Sequence, residues 1–76
     1  MKYELAQVQI NHLANVFTYH APKEGQPEKY RQLRSMAKQL ATTYYELVPE
    51  SRERSIALTK LEESIMWANS GIARNE

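Results

Sequence analysis

The side chains best suited to chemistry in this sequence are cations. Arg31, Arg34 and Lys38 recur at i, i+3 and i+7, which sets them on one helix face as a short basic ridge flanking an apolar seam. Tyr19 and His20 lie just ahead of this ridge and can fold over its first turns. Flat rings beside guanidinium groups suit a ligand that carries both a phosphate and a base, the first held by bidentate Arg contacts and the second by stacking. The competing reading of the same ridge is a solvated face whose charges pair loosely with nearby glutamates.

Other chemistry finds less support. His12 and His20 stand eight positions apart with no cysteine in the chain and few carboxylates near them, so the sequence predicts neither a metal site nor a cofactor. Glu62 and Glu63 are adjacent, point about 100° apart on a helix, and cannot face each other as a catalytic pair. Ser35, Ser51, Ser55, Ser64 and Ser70 lack a nucleophile-elbow context or an adjacent base, and no glycine-rich phosphate loop exists. The expectation is therefore a binding protein and not an enzyme. Trp67 shares a second helix face with Lys60, Glu63, Ser70 and Arg74, and a tryptophan there is expected to pack against another element or another subunit.

These residues need helices to position them. Leu58, Leu61, Ile65, Ala68 and Ile72 alternate in steps of three and four, as do Tyr30, Leu33, Ala37, Leu40, Tyr44 and Leu47. The pattern predicts two helices, 27–48 and 51–74, folded into an antiparallel hairpin at Val48-Pro49-Glu50-Ser51. Pro49 cannot continue the first helix, Ser51 is a natural N-cap for the second, and Pro27 suits a first helical position. Gly71 should weaken the last turn by roughly 1 kcal/mol relative to Ala, so fraying is expected there. Ahead of the hairpin, Tyr3, Ala6, Ile10, Leu13 and Phe17 predict a short helix over 1–17, although Leu5 to Ile10 also reads as partly alternating, extended chain. Residues 18–26, TYHAPKEGQ, form a connector punctuated by Pro22 and Gly25. The fold class is thus all-α, one domain over 1–76: a short N-terminal helix followed by a long helical hairpin.

Size and charge narrow the partners. A chain of 76 residues buries a small fraction of its surface, and a helix pair hides only one side of each helix, so self-association is expected, with Leu58, Leu61, Ile65 and Trp67 as interface candidates. No apolar run is long enough to span a bilayer and Met1-Lys2-Tyr3-Glu4 does not resemble the start of a signal peptide, which together with the absence of cysteine points to the cytoplasm. The net charge of +1 argues against a DNA or RNA duplex as ligand. Residues 1–26 and 51–76 each balance to zero, while 27–50 hold four cations against three anions, and the cations crowd the start of the helix. A compact anion fits such a ridge better than a long duplex.

Three segments, FTYHAP (Phe17–Pro22), YRQLRSMAKQLA (Tyr30–Ala41) and PESRERSIALTKLEESIMWANSGIARN (Pro49–Asn75), resemble the helical-hairpin domain shared by phage anti-CBASS and anti-Thoeris proteins. The resemblance covers roughly residues 17–75, its last segment is the most specific, and the small, nearly all-helical anti-CBASS branch is the nearer match. It implies a sponge that binds immune second messengers without degrading them. It also implies a homo-oligomer, a hexamer, holding cyclic dinucleotides such as cyclic GMP-AMP between subunits, with cyclic trinucleotides in a second kind of pocket. Carried over by position, the ligand-side tyrosine and basic residue of the family fall on Tyr19 and Arg34, and an arginine contributed by another subunit falls on Arg74. His20, Lys38 and Trp67 are further candidates. The pattern leaves an extension of about sixteen residues ahead of Phe17 without a role. Two alternatives outside this class are a protein-interaction module that docks through Trp67 and the apolar stripe, and an enzyme that cleaves the messenger.

Overall fold

The computed structural model describes residues 2–76; the part of the sequence reading that falls on Met1 lies outside the described residues. Three helices follow one another, α1 (Gln7–Val16), α2 (Gln26–Leu47) and α3 (Arg52–Asn75), and no strand occurs among the described residues. None of the helices is long and apolar enough to cross a membrane. Among the described residues the only extensive helix packing is α2 against α3.

That hairpin forms where the apolar periodicity places it, with boundaries shifted by one residue from the expected 27–48 and 51–74. Val48 is extended at φ −111° and ψ 126°, as a residue ahead of proline must be, and its N–H still donates to the Tyr44 carbonyl at 2.9 Å. Ser51 then caps α3: its Oγ accepts from the Arg54 N–H at 3.1 Å and donates to the Pro49 carbonyl at 2.9 Å. The Arg54 guanidinium donates to the Val48 carbonyl at 3.2 Å and stands 5.0 Å from the centre of the Tyr45 ring. One arginine thus ties both sides of the turn together.

The open end of the hairpin is closed by the connector. Gly25 takes φ +84°, a left-handed geometry that glycine adopts without strain, and turns the chain into Pro27 and the first turn of α2. Gln26 is the one buried residue among those described. Its Oε1 accepts from the Lys23 N–H at 2.9 Å, and its Nε2 reaches the Ile72 carbonyl and the Glu76 carboxylate, each at 3.4 Å. Lys23 Nζ donates to the Glu76 carbonyl, Lys29 pairs with the Glu76 carboxylate at 2.5 Å, and Asn75 Nδ2 donates to the Gly71 carbonyl at 3.0 Å. These bonds satisfy carbonyls that a helix end would leave bare. They explain why α3 runs through Gly71 to Asn75 where fraying was expected.

Two other expectations are corrected. The stripe of α2 drifts: Ala41 and Val48 turn toward the seam, while Leu40 and Leu47 are 43% and 77% exposed. A straight α-helix repeats every 3.6 residues, so a strict seven-residue spacing from Leu33 to Leu40 to Leu47 walks off the contact line. The N-terminal helix is also shorter than 1–17. It starts at Gln7, behind an extended Ala6 at φ −72° and ψ 156°, where the Gln9 side chain accepts the Ala6 N–H at 2.8 Å. Tyr3 and Phe17, expected on its stripe, lie outside it and are exposed. No residue of α1 is buried, so the first turn has no packing to offset the cost of nucleation.

Burial is thin throughout. No apolar side chain among the described residues is buried, and the radius of gyration is 17.3 Å with extents of 51 × 39 × 14 Å. A compact chain of this length has a radius near 11 Å. The fold is a flat slab with a projecting first helix.

Candidate functional site

The seam between α2 and α3 is a floor with two flanks. On one flank a groove of about 870 Å³ is walled by Arg31, Arg34, Ser35, Lys38 and Tyr45 from α2 and by Glu62, Met66 and Asn69 from α3, with Ala37, Leu61 and Ile65 at its base. On the other, a smaller groove of about 570 Å³ shares that base and is walled by Leu33, Met36, Gln39, Leu40 and Thr43, none of which carries a charge. The basic ridge read from the sequence therefore stands over an apolar trough.

Its three cations are not equivalent. Arg31 is paired with Glu28 one turn back, its Nε donating to the carboxylate at 3.0 Å and its guanidinium forming a second bond there. That contact, a bond first and charge attraction second, holds the exposed Glu28 carboxyl below its ordinary value and raises Arg31. Arg34 and Lys38 form no ion pair among the described residues, so their charge faces solvent and the groove unneutralised. Across from them Asn69 lines the groove, and its Oδ1 is buried without a hydrogen-bond partner, a costly state for an amide. The groove thus offers cations on one wall, polar acceptors on the other, and an apolar base on which a flat ring can lie.

The remaining candidates stand elsewhere. Tyr19 is 84% exposed in the connector and His20 is half-buried, and neither lines the groove with Arg34. The Nε2 of His20 donates to the Asn15 carbonyl at 2.7 Å, while the Phe17 N–H and Thr18 Oγ1 serve the Leu13 and Ala14 carbonyls, so this segment finishes α1 instead of folding over α2. Arg74 is half-buried in the last turn of α3, where a cation favours the helix terminus, and it too is outside the groove. Leu58, Leu61 and Ile65 are half-buried in the seam of their own hairpin, and Trp67 is 64% exposed. The Lys60–Glu63 pair at 3.5 Å lies along the helix face assigned to Trp67. Among the described residues no group of three metal-ligating side chains is gathered.

Sequence reasoning missed Ser35, Tyr45, Met66 and Asn69 as walls of this groove, and considered Glu62 as half of a catalytic pair with Glu63, which it excluded. A signal for Tyr45 was available, since it continues the face of Lys38 one heptad further along α2. Asn69 had none: its role comes from α3 crossing α2 at that height.

The description of one known domain, the Acb2/Tad1 hairpin domain, fits residues 9–73 of this chain. No curated protein and no solved structure gives a match. The fit begins eight residues ahead of Phe17, so most of α1 belongs to the shared domain, and the unassigned extension is shorter than the sequence reading had it. With most of its length matched, the chain belongs to the Acb2/Tad1 hairpin family of anti-CBASS and anti-Thoeris sponges.

Proposed function

We propose that this member of the family sequesters cyclic oligonucleotide second messengers without cleaving them: cyclic dinucleotides such as cyclic GMP-AMP, with cyclic trinucleotides as a second class. The observation that carries the reading is the pair Arg34 and Lys38, two cations without ion-pair partners above an apolar trough. A phosphodiester meets the α2 wall, and each charge-assisted bond there contributes on the order of 1.5–3 kcal/mol. The base lies on the trough. Glu62 and Asn69 on the far wall supply acceptors for ring N–H and amino donors.

One copy leaves the groove open to solvent, so the site is completed between copies. In a homo-oligomer, a hexamer by resemblance, Tyr19, His20 and Arg74 reach the groove from a neighbouring subunit, and symmetry doubles a short list of contacts. The whole chain, 1–76, works as one domain in the host cytoplasm. Sequestration requires affinity and abundance and no turnover.

Calorimetry with a panel of cyclic di- and trinucleotides tests this reading. Saturable heat from at least one, with the ligand recovered intact after heat denaturation of the protein, is the expected result. Silence across the panel would reject it. A second reading, a protein-interaction module, is favoured by the exposed Trp67 and its neighbour Met66, 66% exposed. Pull-down of a partner protein that depends on Trp67, with no nucleotide heat, would establish that reading instead.

A further inference from the structure

The cationic groove has a ring at one end, and that ring is fixed from behind. Tyr45 is the only aromatic among the described residues that line the groove, and it stands where α2 runs into the turn. It is 59% exposed, so surface remains for a ligand to cover. Lys38 and Tyr45 are seven residues apart on one face of α2, a rise of about 10.5 Å, and Ala41 between them has too little side chain to fill the gap. A nucleotide whose phosphate meets Lys38 can therefore reach the ring with its base.

Arg54 holds the ring. Its guanidinium lies over Tyr45, 5.0 Å from the ring centre, yet Arg54 does not line the groove. A bond to the Val48 carbonyl at 3.2 Å fixes one end of that arginine, and the Ser51 cap on its backbone N–H at 3.1 Å fixes the other. A cation on one face draws electron density from the ring and leaves the opposite face better suited to an electron-rich base. A ring already held in place also loses little freedom when a ligand stacks on it.

We propose that one base of a cyclic dinucleotide lies on the apolar trough and the other stacks on Tyr45, with Arg54 as the positioning residue that keeps the ring ready. Purines are favoured at this end over pyrimidines, because they cover more of the ring. The assignment rests on the nucleotide-binding function proposed above and adds to it a stacking residue within the same chain and a base preference.

Calorimetry with cyclic GMP-AMP and with cyclic di-UMP tests it. Tyr45→Leu should weaken cyclic GMP-AMP binding by about tenfold and cyclic di-UMP binding by about threefold, while Tyr45→Phe, which keeps the ring, leaves both unchanged. Arg54→Gln should lower cyclic GMP-AMP affinity by about threefold in the native chain and not at all in the Tyr45→Leu chain, since a residue that acts through the ring has nothing to act on once the ring is gone. Arg54→Lys, which keeps a cation, should recover most of the affinity. Circular dichroism checks that each variant retains its helices. If Tyr45→Leu leaves affinity unchanged, or weakens both ligands by the same factor, the stacking is overturned while the sponge reading stands. Equal losses from Arg54→Gln in both backgrounds overturn the positioning role. No heat from either ligand with the unsubstituted protein overturns the stacking, and the wider nucleotide panel then decides the sponge reading separately.

Discussion

Arg31, Arg34 and Lys38 stand over one side of the α2–α3 seam and Leu33, Met36 and Leu40 over the other, yet both sets rest on Ala37, Leu61 and Ile65. A rotation of about 100° per residue around α2 is all that separates them. The difference teaches how a helix pair with so little interior divides its labour. The seam holds the two helices in register, one flank carries exposed charge, and the other carries none. A side chain in the seam should matter to both flanks, and one on a flank to that flank alone.

The largest expected effect is on the shared floor. Leu61→Ala removes apolar contacts from both grooves at once, and the loss should be about 2 kcal/mol, the low end for such truncations because Leu61 is only half-buried. Urea denaturation followed by circular dichroism reads it. A change within error would show that the seam does not hold the hairpin and would dissolve the comparison. Next comes Arg34→Ala, expected to weaken cyclic-dinucleotide binding at least tenfold with helicity unchanged, since one charge-assisted contact is lost. Met36→Ala, about half a turn round the helix, should leave that affinity within about twofold. If both substitutions weaken binding alike, the flanks are not distinct sites.

Ser51→Ala separates stability from either flank. Losing the cap to the Arg54 N–H should cost about 1 kcal/mol, visible as a lower melting temperature, with ligand affinity unchanged once the protein is folded. This residue was also legible in advance, as were the two long helices, because capping and apolar periodicity are local rules. The elbow was not. His20 reads in sequence as a ring near cations, but the carbonyl it finds belongs to Asn15, and only the end of α1 at Val16 brings the two together. Gln26 looked like the tail of a connector, and its burial depends on α3 ending beside it, a contact 46 residues away in sequence. The ridge of Arg31, Arg34 and Lys38 was visible as a face. That Arg31 would be spent on Glu28 while the other two stayed free was a matter of rotamers, which spacing does not fix.

The pairing of Arg31 gives the smallest prediction and the one that sharpens the contrast most. Glu28 is held below its ordinary value of 4.5 by the Arg31 bond, and Glu76 likewise by Lys29 and Gln26, although burial opposes it. A carboxyl whose folded value is depressed contributes stability at pH above its ordinary value, and that contribution is lost as pH falls through the folded value. Both pairs should therefore be intact at neutral pH and open in acid below about 4.5, but with different consequences. Opening Glu76 loosens the end of the hairpin that it closes against Lys29 across 47 residues, so thermal stability should fall over that range, less steeply in Glu76→Gln. Opening Glu28 releases a guanidinium one turn from Arg34 into the cationic groove. Glu28→Gln does the same at neutral pH without acid, and cyclic-dinucleotide affinity should rise, by about twofold given the small worth of exposed pairs. A fall in affinity would mean that the Glu28–Arg31 pair orients the ridge instead of diluting its charge, and Arg31 would then act through Arg34 and not beside it.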